Sequence, residues 1–220
     1  MVDKPRLLVF ASGTKEGGGS GFDVLAEHWF QGELEADIVG VVSNHPHGGV
    51  KERADRLGVP FIFFRGPSTE ANYAIIARET RANFVALSGW LKLVRGLDPR
   101  TTFNIHPGPL PRFGGPGMYG HHVHEAVMAA YRQGDVTSSA VSMHFVTERY
   151  DEGPVFFRCP VLILPDDTPD TLAARVNDIE HRLQWWATNH VVSGRIRWDG
   201  VNPGSLVVPQ GTTYLVEAAR

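Results

Sequence analysis

Five short apolar runs, each closed by turn residues, constrain this chain more than any other feature. They are Arg6–Ala11 (RLLVFA), Asp37–Ser43 (DIVGVVS), Val59–Phe64 (VPFIFF), Asn83–Ser88 (NFVALS) and Thr101–Ile105 (TTFNI). Most are continuously apolar rather than alternating, as strands are when a parallel sheet is covered on both faces. The stretches between them, Phe22–Phe30, Val50–Leu57 and Thr69–Arg81, carry helical spacing, and Gly58 stops the second. This alternation predicts an open, mainly parallel, Rossmann-like α/β sheet with helices on both faces.

The second half reads differently. Ser138–Val146 and Pro154–Leu164 are predicted strands flanking a tight acidic turn, which makes them an antiparallel pair. Thr168–Val192 reads as one long helix, with Thr168 as N-cap and Asp170 in its first turn. Arg195–Trp198 is expected to be a last short strand. From Asn202 onward the chain is punctuated by Gly and Pro, a segment expected to cover the sheet edge or meet a partner subunit. At 220 residues, one α/β domain over 1–200 with an extension over 201–220 is the expected organisation.

Composition narrows the function. Lys and Arg number 21 against 24 Asp and Glu, a net charge of −3, which argues against a nucleic-acid or anionic-membrane binder. The first apolar run is too short for a signal-peptide core or a membrane span. A single cysteine, Cys159, excludes an internal disulfide and suggests a reducing, cytoplasmic setting. Mid-strand in FFRCPVL, it reads as a small buried hydrophobe rather than a nucleophile. His121, His122 and His124 lack a second ligand cluster at metal spacing, so no metal is expected.

Many of the 24 Gly and 15 Pro fall in two loops, Ser12–Gly21 and Pro107–Gly120. The first, SGTKEGGGSG, joins a strand to a helix and so offers backbone N–H groups and a helix N-terminus to an anion, with Lys15 or Ser20 in reach. Its spacing matches neither GxGxxG nor a Walker loop, and a mobile surface loop is the plainer alternative. The second loop follows Asn104-Ile105-His106-Pro107 at the carboxyl end of the fifth strand, where ligands of open α/β sheets bind. Strand alternation puts Asn104 and His106 on one face, an amide donor beside an imidazole suited to oxyanion or acid–base work. A lone histidine at a strand end is otherwise a structural one. Downstream, Asp151 in Thr147–Pro154 either serves the turn or projects its carboxylate towards His106, raising the imidazole's pKa.

Taken in order, LLVFASG, VVSN, ALSGWLKLV, NIHPGPLPRF, HFVTERYDEGPVF, ARVNDIEH and SGRIRWDG resemble the folate-dependent formyltransferases over about the first 200 residues. The resemblance implies transfer of a formyl group from 10-formyltetrahydrofolate, as co-substrate, to the primary amine of glycinamide ribonucleotide through a tetrahedral intermediate. Another amine, such as an amino-sugar nucleotide, is the alternative acceptor, and a non-catalytic anion-binding α/β module is the alternative from a different class. Asn104, His106 and Asp151 then take the catalytic positions, with Asp151 keeping His106 cationic. Leu91, Lys92, Leu93 and Val94, with Thr147, Glu148, Arg149 and Tyr150, fall in the folate segments. Ser12, Gly13, Gly19, Ser20 and Gly21 fall in the substrate-phosphate loop, and Asn177 and Glu180 on the substrate side of the long helix. The partners implied are small molecules, with a homodimer as the assembly open to the chain. In three places it departs from the family, one being that the folate-side Arg before the third helix is replaced near Thr69, with Arg65 the nearest substitute. About four residues are inserted in Ser12–Gly21, where Gly21 replaces an Asn, and Pro107–Gly120 is longer than usual.

Overall fold

A computed structural model describes residues 3–216. Seven strands form one sheet in the order β3-β2-β1-β4-β5-β6-β7. They are β1 (Arg6–Phe10), β2 (Asp37–Ser43), β3 (Phe61–Phe63), β4 (Phe84–Ser88), β5 (Thr102–His106), β6 (Ser138–Phe145) and β7 (Val155–Leu162). The first five run parallel, whereas β6 and β7 add antiparallel beyond β5. The apolar runs have the expected cause, since successive residues of β1 enter opposite cores. Leu7 and Val9 face one, Leu8 and Phe10 the other.

Five helices cover the sheet: α1 (Ser20–Phe30), α2 (Gly49–Leu57), α3 (Glu70–Glu79), α4 (His121–Arg132) and α5 (Pro169–Val192). The larger core takes Phe22 of α1, Val50 of α2, Val127 of α4 and Val176 of α5. On the opposite face Tyr73 of α3 packs with Phe10, Phe64 and Trp90. Helix α5 lies against both α1 and α4 and so carries its residues across the carboxyl ends of the strands. Its start follows from a reciprocal cap. The Thr168 hydroxyl accepts from the Thr171 N–H at 3.2 Å, and the Thr171 hydroxyl accepts from the Thr168 N–H at 2.9 Å. Asp167, just before the cap, is held by both Arg175 guanidinium nitrogens, which pull its carboxyl well below the usual range.

Several expectations need correction. Arg195–Trp198 is not a strand: only Arg197 forms a bridge, to Val207, and no neighbouring strand offers it a longer ladder. The acidic turn is not tight, because it occupies all the residues between Phe145 and Val155. Strand β3 begins at Phe61 rather than Val59, since Pro60 has no N–H to give the ladder. Helix α1 begins at Ser20, with Gly19 left-handed at its N-cap, so Ser20 and Gly21 belong to the first turn rather than the loop. The segment after Asn202 does reach the sheet edge. Leu215 bridges Phe157 antiparallel, the Arg158 N–H donates to the Tyr214 carbonyl at 2.8 Å, and the Val216 N–H to that of Phe156 at 2.9 Å.

Candidate active site

Strand order reverses at β1, which has β2 on one side and β4 on the other, and the crevice beyond such a point is where open sheets take ligands. A cavity of about 570 Å³ opens there. Its walls are the Gly-rich loop with the start of α1, the segment after β4, the end of β5, the Gly115–Gly120 stretch, Asp151 and one face of α5.

The Gly-rich loop is built rather than loose. Thr14 and Gly17 close a turn at 2.8 Å, the backbone of Gly48 and Gly49 packs directly on it, and Arg53 donates to the Gly18 carbonyl at 3.1 Å. Arg53 and Arg56 both pair with Asp23, so neither cation is free. The N-terminus of α1 has no side-chain cap and opens into the cavity.

On β5, Phe103 and Ile105 enter the main core, which turns Asn104 and His106 to the other face. Antiparallel pairing sets His144 opposite Asn104 and Ser142 opposite His106. The Pro107–Gly120 loop is anchored on that face by the Ser142 hydroxyl, which donates to the Gly108 carbonyl at 2.8 Å, and by Arg158, which donates to the Leu110 carbonyl at 2.6 Å. His106 is 3% exposed, and its Nε2–H donates to the Phe113 carbonyl at 2.7 Å. A carbonyl only accepts, so in the neutral ring the lone pair sits on Nδ1, 3.8 Å from Asp151 Oδ2. By the same logic His144 Nδ1 donates to the Phe145 carbonyl at 2.8 Å, and its Nε2 accepts from the Asn104 amide at 3.0 Å. One Asn104 hydrogen is thereby committed and the other left over.

Asp151 adopts a left-handed backbone, φ 56°, a conformation Asp tolerates better than most residues. Its Oδ2 accepts from the Gly115 N–H at 3.0 Å, and its Oδ1 lies 3.4 Å from His144 Nε2. Burial works to raise its pKa. The neighbouring His144 and His106 imidazoles and the Gly115 N–H outweigh that and hold the carboxyl below the ordinary range. His106 goes the other way than expected. Burial is the larger influence and lowers its pKa despite the opposing pull of Asp151 and the Phe113 carbonyl. Burial thus opposes the pull of Asp151 that was expected to keep His106 cationic.

Of the residues singled out by sequence, Gly13, Gly19, Ser20, Gly21, Leu91, Asn104, His106, Tyr150, Asp151, Asn177 and Glu180 line this cavity. Ser12 lies beneath it, its hydroxyl accepting from the Leu91 N–H at 3.0 Å. Val94, Thr147 and Glu148 line a separate cavity of about 210 Å³, while Lys92 and Leu93 line neither. Arg149 is exposed and paired with Glu152. Burial raises the Glu180 carboxyl to about 7, against a 3.4 Å hydrogen bond from Asn177. Sequence reasoning missed His144, Ser88, His181 and Gln184. The last is four residues after Glu180 on α5, so helical spacing was the available signal. Of the histidines at the start of α4, His121 and His122 pair with Glu125 at 3.6 and 3.3 Å, and burial pulls His124 down to about 4. Among the described residues no group of three or more His, Cys, Asp or Glu is placed to hold a metal.

Comparison with known proteins follows the same outline. A family model described as formyl transferase matches residues 5–188. The chain is 35% identical over 211 residues to the chloroplastic phosphoribosylglycinamide formyltransferase of Arabidopsis thaliana, covering 90% of this chain and 70% of that one. It is 29% identical over 187 residues to the Bacillus subtilis phosphoribosylglycinamide formyltransferase, covering 80% and 89%. The crystal structure of glycinamide ribonucleotide transformylase 1 from Symbiobacterium toebii superposes with a TM-score of 0.80 at 26% identity, covering 95% and 96%.

Proposed function

The chain belongs to the formyl transferase family, and from that premise we propose that it transfers a formyl group from 10-formyltetrahydrofolate to the primary amine of glycinamide ribonucleotide, a step of purine synthesis. The observation that carries the reading is the convergence of Asn104, His106 and Asp151 at one end of a cavity whose other end is the uncapped start of α1. The first set suits acyl transfer to an amine, and the second suits the acceptor's phosphate.

When bound, the folate supplies the formyl carbon as electrophile and the nitrogen it leaves. Leu91 and Tyr150, both lining the cavity, support the folate's placement on that side. As the amine attacks, negative charge gathers on the formyl oxygen, and the Asn104 hydrogen that His144 does not take is the donor for it. Such a donor is worth about 3–4 kcal/mol. The amine must lose one proton. Neutral His106 accepts it at Nδ1, Asp151 stabilises the imidazolium so formed, and the same proton passes to the departing nitrogen, leaving His106 neutral again. His106 thus acts as base and then acid, not as a standing cation. Holding the two substrates together supplies much of the remaining acceleration.

The test is an acceptor screen with 10-formyltetrahydrofolate. Glycinamide ribonucleotide is expected to be formylated, and amino-sugar nucleotides are not. Formylation of an amino-sugar nucleotide alone would replace the acceptor. No formylation of any amine, with a phosphorylated ligand still raising Tm, would make the chain an anion-binding module.

The pH profile tests the proton account. Glu180, at about 7, faces the acceptor and accepts hydrogen bonds best when ionised. Activity at the acceptor is therefore expected to fall below pH 7 as Glu180 protonates, then again below His106's lowered pKa as Nδ1 is filled. Glu180→Gln should lower kcat/KM at pH 8 by about 10–100-fold, the range for a hydrogen bond to a charged group. It should also erase the limb near 7 while leaving an acid limb below 6.5. A limb at 7 that survives this substitution would contradict the assignment.

A further inference from the structure

Formyl transfer, as described, leaves several polar side chains of the cavity without a role, Gln184 the most buried of them. Gln184 of α5 is 1% exposed and lines the cavity one turn beyond Glu180. Its Oε1 accepts from the Ser88 hydroxyl at the end of β4, at 3.3 Å. Its Nε2 donates to no acceptor among the described residues. The side chain is buried but this donor is not sealed off, so on the cavity wall it is left free for a ligand.

What surrounds the carboxamide identifies the ligand's chemistry. A β-carbon at Gly21 would fall 3.0 Å from Gln184 Oε1 and 2.2 Å from Ser88 Oγ, so the carboxamide lies against the first turn of α1. Glycine at position 21 makes the room for it. The same turn presents uncapped N–H groups, which favour an anion. No Lys or Arg lines the cavity, so an anion seated here is met by neutral donors.

We infer that Gln184 is a specificity-determining residue for the acceptor's phosphate, with Nε2 donating to a phosphate oxygen seated at the start of α1. Ser88 is the positioning residue. Its hydroxyl, bonded to Oε1, holds the carboxamide against the first turn of α1. The inference rests on the acceptor being phosphorylated, as proposed above.

The experiment compares wild type, Gln184→Glu, Gln184→Met and Ser88→Ala by calorimetric titration with ribose 5-phosphate and, separately, with 10-formyltetrahydrofolate. Ribose 5-phosphate affinity is expected to fall about 30-fold or more in Gln184→Glu, where a carboxylate meets the anion, and about tenfold in Gln184→Met. Ser88→Ala should lose about threefold to fivefold. Folate affinity should be unchanged in all three, which general damage to β4 or α5 would not spare. The inference is overturned if ribose 5-phosphate binds Gln184→Glu within twofold of wild type, if folate affinity falls in parallel, or if wild type does not bind ribose 5-phosphate. A wild type that binds ribose 5-phosphate but formylates no ribonucleotide would overturn the proposed reaction, while the variant comparison still decides the role of Gln184.

Discussion

His106→Ala is expected to lower kcat for formyl transfer by about a thousandfold or more while the sheet stays folded. A positioned acid–base group contributes roughly 10²–10⁴-fold, and here it also brings positive charge beside the developing oxyanion. The structural cost is smaller. Truncation leaves the Phe113 carbonyl without its donor and Asp151 without one of its two imidazoles. That costs about 1–3 kcal/mol, or roughly 2–12 °C in Tm for a chain of this size. Asp151→Asn should keep the bond from Gly115 and lose the charge that stabilises the imidazolium, lowering kcat by about 10²-fold or more. Steady-state kinetics beside thermal melts separate the two effects. Wild-type turnover in either variant sinks the proton account.

Gly153→Ala should cost the most stability of any single methyl group near the site. A β-carbon there would lie 1.8 Å from the Phe145 carbonyl oxygen and 2.7 Å from its carbon, both backbone atoms that cannot swing aside. The turn must separate from the end of β6, breaking the 3.1 Å bond from the Phe145 N–H to the Pro154 carbonyl. Overpacking of this kind costs about 3 kcal/mol or more. Asp151, two residues upstream, moves with the turn, and a displacement near 1 Å is enough to lower turnover about 10²-fold. Thermal melts and kcat on the soluble fraction measure both. A wild-type Tm would mean that the turn absorbs the methyl without moving.

This clash also explains why the sequence was informative where it was. The glycine of the Asp-x-Gly-Pro turn is required by a close approach, and Asn104 and His106 share a face because a strand alternates, so both were legible in one dimension. The strands announced themselves because covering both faces makes their residues uniformly apolar, and α5 announced its start through Thr168. What stayed hidden depends on register and burial. His144 matters only because antiparallel pairing sets it opposite Asn104. The downward pull on the His106 pKa comes from burial, and no local pattern encodes that. Ser88 and Gln184 meet across a separation of 96 residues. Arg195–Trp198 has strand-like residues, but a strand also needs a partner, and its partner is a single residue.

The covering of β7 by Tyr214–Val216 has a consequence in time. Ribosomes add about 5–20 residues per second, so the roughly 50 residues between the end of β7 and its cover take about 3–10 s to appear. During that interval β7 presents bare N–H and C=O groups along one side, the kind of edge on which a second nascent chain can pair. Its sequence, VFFRCPVL, answers this in part, since Arg158 and Pro160 interrupt the apolar run that such pairing needs. Translation speed between β7 and Val216 therefore governs how long each new molecule is exposed to its neighbours. Slow codons there should raise the fraction lost to aggregates without changing any contact in the finished protein.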